Sequence, residues 1–262
     1  MRWIASIGKK TNDRLAAMGF VAGVVASVVG HAFRPSYWNR TVRNVFARQI
    51  LFTGYEATRF ISLIAVAVGV SIVVQTQVLL GALGQAGLLG PVLVAVLVRE
   101  LGPLLTNFVV IGRSGTAIAT EMANMRVHRE IEVLDAQGID PFLYLVVPRV
   151  LGAAVSIFCL TVIFLVVAIL TGFFSGLLMG ANTGSPLIFL ESIIGALRPA
   201  DVLGFFAKTL LPGLMMGTIC CLEGLKIQGA LTEVPQASTR AVVKSTIALF
   251  VTSAVVSILT YL

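Results

Sequence analysis

The chain has 262 residues, 57% of them hydrophobic and only 12% charged, with a mean hydropathy of +0.97. A soluble domain carries roughly 25% charged residues, so this composition excludes one and requires a chain that sits in lipid. The formal net charge of +7 describes a membrane-facing bias and gives a nucleic-acid partner little support.

Residues 15–30 are apolar and follow Lys9 and Lys10, the outline of a signal peptide. The run continues, however, into His31 and Arg34-Pro35 and then a second basic segment. There Arg40, Arg43 and Arg48 alternate with Trp38, Val42, Val45 and Phe46, a pattern suited to a helix in the headgroup region. Residues 1–50 are therefore read as an amphipathic elbow at the cytoplasmic surface. Residues 51–262 are read as a transmembrane domain of five helices.

A helix needs about 20 apolar residues to cross a hydrocarbon core of roughly 30 Å. Five segments qualify: 60–80, 86–112, 150–180, 202–222 and 245–262. They are continuous apolar runs, not the roughly ten-residue alternating segments of a membrane barrel, so the predicted class is an all-α integral membrane protein.

Arg99 and Glu100 interrupt the second run. A charge at mid-bilayer costs at least about 2.5 to 3.5 kcal/mol, so both side chains must face protein or a wet cavity. Pro103, just beyond, cannot donate to the helical ladder and frees a carbonyl one turn back. Two readings fit: a polar element lining a transport cavity, or a structural ion pair between packed helices.

Residues 124–142 are too polar for lipid and are expected to form a short amphipathic helix. Val127, Ile131 and Leu134 make an apolar stripe, and Arg126 with Glu130 and Arg129 with Glu132 supply charge pairs at helical spacing. Gly138 and Asp140-Pro141 are stop signals. Such a helix either lies on the membrane or docks into a groove of another protein. The five acidic residues between Glu121 and Asp140 favour docking over contact with anionic lipid.

The third span is uncharged for 31 residues, longer than a perpendicular crossing needs, so it tilts or projects. Gly172, Gly176 and Gly180 place a small residue at every fourth position, which permits close helix approach. Ser185-Pro186 opens a short extracytoplasmic helix ending near Arg198-Pro199, with Leu187, Leu190, Ile194 and Leu197 on one face. The segment 223–244 reads as a structured turn before the last span. Cys159, Cys220 and Cys221 lack metal or disulfide spacing and read as packing residues. His31 and His128 are isolated, so no catalytic or metal-ligating set is expected.

Nine Lys and Arg residues precede Phe60, four lie between Arg113 and Arg149 and three between Glu223 and Lys244, whereas the opposite loops hold only Arg198. The excess of basic residues in cytoplasmic loops then puts the N-terminus in the cytoplasm and the C-terminus outside, with Arg99 and Lys208 inside spans.

A set of ordered motifs resembles the MlaE-type permease family, the membrane subunits of ABC systems that work with MCE-domain lipid-binding proteins. The motifs are Arg99-Glu100-Leu101-Gly102-Pro103, Gly112-Arg113-Ser114-Gly115, Ala117-Ile118-Ala119, Glu121, Met125-Arg126, Glu130-Ile131, Leu134, Gly138-Ile139-Asp140-Pro141 and Pro148-Arg149. The resemblance implies a homodimer of this chain in the bacterial inner membrane, with two ABC ATPase subunits on the cytoplasmic side. It also implies a hexameric ring of MCE protein on the periplasmic side, phospholipid as cargo and a role in outer-membrane lipid asymmetry. Met125, Arg126, Arg129, Glu130, Ile131, Leu134, Asp135 and Asp140 would belong to the coupling helix held by the ATPase. Lipid would contact Val74, Gln75, Val78, Leu79, Arg99, Glu100 and the neighbourhood of Leu249. Gln75 and Gln77 would then neighbour a headgroup, although interfacial capping explains them as well. The family pattern leads one to expect a Gln-Gly-like pair where Gln75-Thr76-Gln77 stands here.

The chain contains no G-x-x-x-x-G-K-[ST] sequence, so ATP and magnesium would belong to the partner ATPase and the chain itself would carry no cofactor. The alternative from another class is an ion-coupled secondary transporter in which Glu100 carries a proton beside Arg99. A membrane-embedded enzyme lacks the residue clusters it would need.

Overall fold

The computed structural model describes residues 19–34, 37–178 and 186–261, and every regular element among them is helical. Gly180, Ser185 and the first part of the elbow lie outside the described residues. In chain order the helices are α1 (Gly19–Ala32), α2 (Arg40–Ala82), α3 (Leu89–Val127), α4 (Glu130–Ala136), α5 (Phe142–Leu178), α6 (Pro186–Ala196), α7 (Pro199–Leu225) and α8 (Leu231–Thr260). Five of these, α2, α3, α5, α7 and α8, are long and apolar enough to cross a membrane.

Each of these long helices outruns its apolar segment at one end or both, because backbone hydrogen bonding continues where hydropathy falls. The 43 residues of α2 span about 65 Å, more than twice a hydrocarbon core of about 30 Å, so one end must project. The basic segment predicted as a separate elbow is the first part of this helix. No break falls at residue 50; instead a π-turn at Leu51–Tyr55 inserts one residue and the helix runs on. Arg40, Arg43 and Arg48 are exposed while Val42, Val45 and Phe46 are half-buried, so the amphipathic pattern is real. Trp38 donates its indole N–H to the Ala32 carbonyl at 3.1 Å, tying α1 to the start of α2. Val28 of α1 is fully buried in the main core.

That core joins all five long helices through Ile61, Ile118, Phe164, Met216 and Leu249, among others. α5 packs against both α2 and α7, and α7 also packs against α3 and α8. Small residues set the α2–α5 distance: a Cβ on Gly69 would overlap the Ala168 carbonyl, and one on Gly172 would overlap Val73. Gly176 likewise receives the Gln77 side chain.

The polar connection after α3 differs from the single helix expected over 124–142. Val127 ends α3, Arg129 adopts a left-handed conformation at φ 57°, and a separate helix, α4, begins at Glu130. Arg126 and Glu130 therefore belong to different helices, and Arg126 approaches Glu132 instead, at 3.8 Å. The predicted stop is present. Gly138 has φ 75°, Ile139 N–H donates to Leu134 O at 3.0 Å, and the Asp140 carboxylate accepts the Phe142 N–H at 2.8 Å to start α5.

α6 rests on the bundle, but through Phe189 and Ile193. The Phe189 ring lies 5.1 Å from Phe173, and both residues join a second core cluster with Val73, Leu93 and Leu97. Leu187, Leu190, Ile194 and Leu197, the apolar face read from the sequence, point outward. Both faces of this helix are apolar, so periodicity alone does not select the buried one. The segment 223–244 is mostly helical: only a short turn with Gly229 at φ 108° separates α7 from α8, which opens with a 3-10 turn at Leu231–Glu233.

Candidate functional site

Pro103 organises the charged interruption of α3. Having no N–H, it leaves the Arg99 carbonyl without its helical donor, and the preceding turn, Val94–Leu101, is wound as a π-helix. Lys208 of α7 fills the gap, its ammonium donating to Arg99 O at 2.8 Å and to Glu100 Oε1 at 2.5 Å. Ser257 of α8 donates to the same Glu100 oxygen at 2.9 Å. Arg99 turns to Asp201 in the first turn of α7, with Nε at 2.8 Å from Oδ1 and a terminal nitrogen donating to Oδ2 at 3.1 Å. Asn107 adds a further tie, its amide N–H2 donating to the carbonyls of Pro103 at 2.8 Å and Lys208 at 3.2 Å.

Arg99 and Glu100 are thus paired with α7, Arg99 with Asp201 and Glu100 with Lys208. Each charge meets its opposite, which offsets a desolvation penalty of several kcal/mol per ion. Lys208 is 1% exposed at its side chain and Glu100 is 44% exposed, so the cluster is closed toward α7 but open at the carboxylate. Sequence reasoning missed Asp201 and left Lys208 unassigned. Asp201 also accepts the Arg198 N–H at 2.9 Å, so by sequence it is indistinguishable from an ordinary helix cap. Lys208, a lone cation in an apolar run, was the available signal.

Among the residues expected to face lipid, Gln75, Val78 and Leu79 lie on the exposed side of α2, and Val74 is half-buried. The Gln75 amide donates to Ser71 Oγ at 3.2 Å. Gln77 turns inward against Gly176. Val73, beside this group, packs with Leu93, Val94 and Leu97, which holds this exposed part of α2 against the part of α3 that leads to Arg99. Leu249 stands apart. It is 1% exposed and packs in the chain's own core, because its side of α8 faces the other helices, while Phe250 and Val251 point outward.

The residues expected on one docking helix divide between two elements and between buried and exposed. Met125 is on α3 and Ile131 and Leu134 are on α4; all three are half-buried against the main core, and the latter two fasten α4 to the bundle. Arg129, Glu130, Asp135 and Asp140 are exposed, together with Val133 at 53%. The accessible surface of α4 is therefore acidic around one large apolar side chain.

Three further charge clusters surround the α4 end of the bundle. Arg113 donates to the Phe52 carbonyl at 3.1 Å and to Glu56 Oε2 at 2.8 Å. Arg149, buried, donates to Leu145 O at 3.1 Å and to Glu121 Oε1 at 2.6 Å. Glu223 receives Lys226 at 2.8 Å and Lys244 at 2.9 Å, with Arg240 at 3.6 Å. Each cluster ties one helix to another or closes the turn between α7 and α8. Cys159, Cys220 and Cys221 are free thiols, and the described residues contain no group of His, Cys, Asp and Glu arranged to hold a metal.

Five long apolar helices, a neutralised charge cluster between them and a short polar helix at one end define a multi-pass membrane protein. A family model described as permease MlaE matches residues 46–259, and the chain belongs to that family. It is 28% identical over 249 residues to a probable ABC transporter permease protein of Rickettsia conorii, covering 95% of this chain and 93% of the relative. A probable ABC transporter permease protein of Synechocystis is 32% identical over 92% of this chain and 88% of its own length. The chloroplastic protein trigalactosyldiacylglycerol 1 of Arabidopsis thaliana is 31% identical over 84% of this chain and 61% of its own length.

Proposed function

We propose that this chain is the membrane subunit of an ABC transporter in the bacterial inner membrane, moving phospholipid or a related hydrophobic molecule. It would act as a homodimer with two ATPase subunits that bind ATP and magnesium, exchanging lipid with an extracytoplasmic MCE-domain protein. The N-terminus and α4 would face the cytoplasm and the C-terminus the periplasm, in keeping with the basic residues of the loops.

The observation that carries this reading is α4. It joins the ends of two spanning helices and exposes acidic side chains around Val133, in a chain without a nucleotide-binding motif of its own. A partner that closes on nucleotide and grips α4 would move α3 through the turn at 128–129 and α5 through the turn at 138–141. Support for ATP as the energy source comes from the relatives named as ABC transporter permeases. For lipid as cargo, support comes from the galactolipid in the name of the Arabidopsis relative and from the exposed Gln75, Val78 and Leu79. In this mechanism Glu100, open at the carboxylate, meets a cavity between the two copies, and rearrangement of α3 and α5 opens or collapses that cavity.

Purification in mild detergent, followed by mass spectrometry of co-purifying proteins and lipids, tests the reading. An ATPase, an MCE-domain protein and bound phospholipid are expected; a functional permease that retains none of them sinks it. A second reading, ion-coupled transport through Glu100, draws on the exposure of that carboxylate. It predicts uptake without ATPase that is lost in Glu100→Gln.

A further inference from the structure

The π-turn in α2 creates a specific vacancy. Glu56 N–H donates to Leu51 O, five residues back, where a regular helix would use Phe52 O. Arg113 supplies the missing donor to Phe52 O and binds Glu56 with its other terminal nitrogen, while its guanidinium lies 5.4 Å from the centre of the Phe52 ring. A planar guanidinium that stays charged suits this double task, and a point-charge ammonium performs the same one at Lys208. Among the described residues, three of the four π-turns have a basic side chain bridging a carbonyl of the turn and a glutamate: Lys208 on Arg99 O and Glu100, Arg113 on Phe52 O and Glu56, Arg149 on Leu145 O and Glu121.

Arg113 is distinct among them because it sits in a π-turn itself, Ile111–Gly115 of α3, and so joins two such turns on different spans. Beyond it α3 continues to Val127 and the turn into α4; beyond Phe52 and Glu56, α2 continues to Gln75 and Val78. In this structure Glu56 N–H holds Leu51 O, and Arg113 takes Phe52 O and Glu56 together. A charged side chain that ties the backbone of one span to another in this way is a contiguous physical connection of the kind through which displacement is passed.

We propose that Arg113 is a positioning residue for transport, the joint through which displacement of α4 and α3 is passed to the lipid-facing part of α2. This rests on the ATP-driven reading above. In the full complex reconstituted in phospholipid vesicles, Arg113→Gln is expected to hydrolyse ATP but to transfer lipid roughly tenfold less per ATP, the size of an ordinary coupling between sites. Arg113→Lys, which keeps a charged donor able to bridge both acceptors, is expected to retain most of the transfer. Transfer by Arg113→Gln at the parental yield, or equal failure of Gln and Lys variants, would overturn the proposal.

If Arg113→Gln does not accumulate, Glu56→Ala replaces it. Spin labels at the exposed positions 55 and 124, in a Cys159→Ser background, then report the α2–α3 distance. With the joint intact, nucleotide shifts one narrow distance distribution; in Glu56→Ala the distribution is expected to broaden and the shift to shrink. An undiminished shift overturns the joint. Absence of any ATP-dependent lipid transfer by the parental complex overturns the transport reading instead, so the two failures are separable.

Discussion

Lys208 shows how one residue answers two problems set elsewhere in the chain. Pro103 strips the Arg99 carbonyl of its donor and Glu100 brings a carboxylate into an apolar helix; a single ammonium reaches both. Removing it leaves an unpaired carbonyl and an uncompensated charge, so Lys208→Met is expected to destabilise the protein by about 3 kcal/mol, measured as thermal unfolding in detergent. Glu100→Gln keeps an acceptor for Lys208 and is expected to cost less, and the double variant should recover part of the Lys208→Met loss. Additive losses would show that the pair is not coupled. That Arg99 and Glu100 needed partners was legible from their setting. Which partners they take was not, because Asp201 and Lys208 lie about a hundred positions away and local patterns carry no information on that pairing.

Close helix contact and helix interruption operate at the scale of elements. Gly69→Ala would drive a methyl into the Ala168 backbone, which cannot move aside as a flexible side chain does. It is expected to cost about 1 to 3 kcal/mol, read by thermal unfolding, as overpacking of a tight contact does. Gly81, also helical but with open space around it, is the contrast: Gly81→Ala is expected to be neutral or to stabilise by roughly 0.5 to 1 kcal/mol. For α4, the double substitution Glu130→Arg and Asp135→Arg reverses the exposed charge without touching Ile131 or Leu134. Loss of ATPase co-purification and of lipid transport is the expected outcome; retention of both would refute the coupling role. Ile131 and Leu134 were legible as an apolar face, and Gly138 with Asp140-Pro141 as a stop, but Val127, expected on the same stripe, ends α3 and packs in a separate cluster with Ile227 and Val234. The break at Arg129 was not, since Arg is an ordinary helix former and its left-handed conformation is imposed by the fold.

Across the whole molecule the question is which apolar surface faces its own core and which faces something else. Photocrosslinkers placed at Gln75 and at Leu249 are expected to behave differently in the assembled complex: lipid adducts from the first and protein adducts alone from the second. Lipid adducts from Leu249 would show that α8 turns its core face outward during transport. By itself the sequence determined that the chain is helical, that it crosses the membrane and that Arg99 to Pro103 and the segment after Val127 are special. Hydropathy and backbone chemistry are local properties of the residues that carry them. Only the tertiary structure decided that Arg99 and Glu100 pair with α7, that Phe189 and Ile193 and not the leucines anchor α6, and that Arg113 joins the π-turns of two spans. In a chain whose helices are apolar on nearly every side, periodicity cannot distinguish a core face from a lipid face, and the choice falls to shape complementarity and to the few polar groups that must be satisfied.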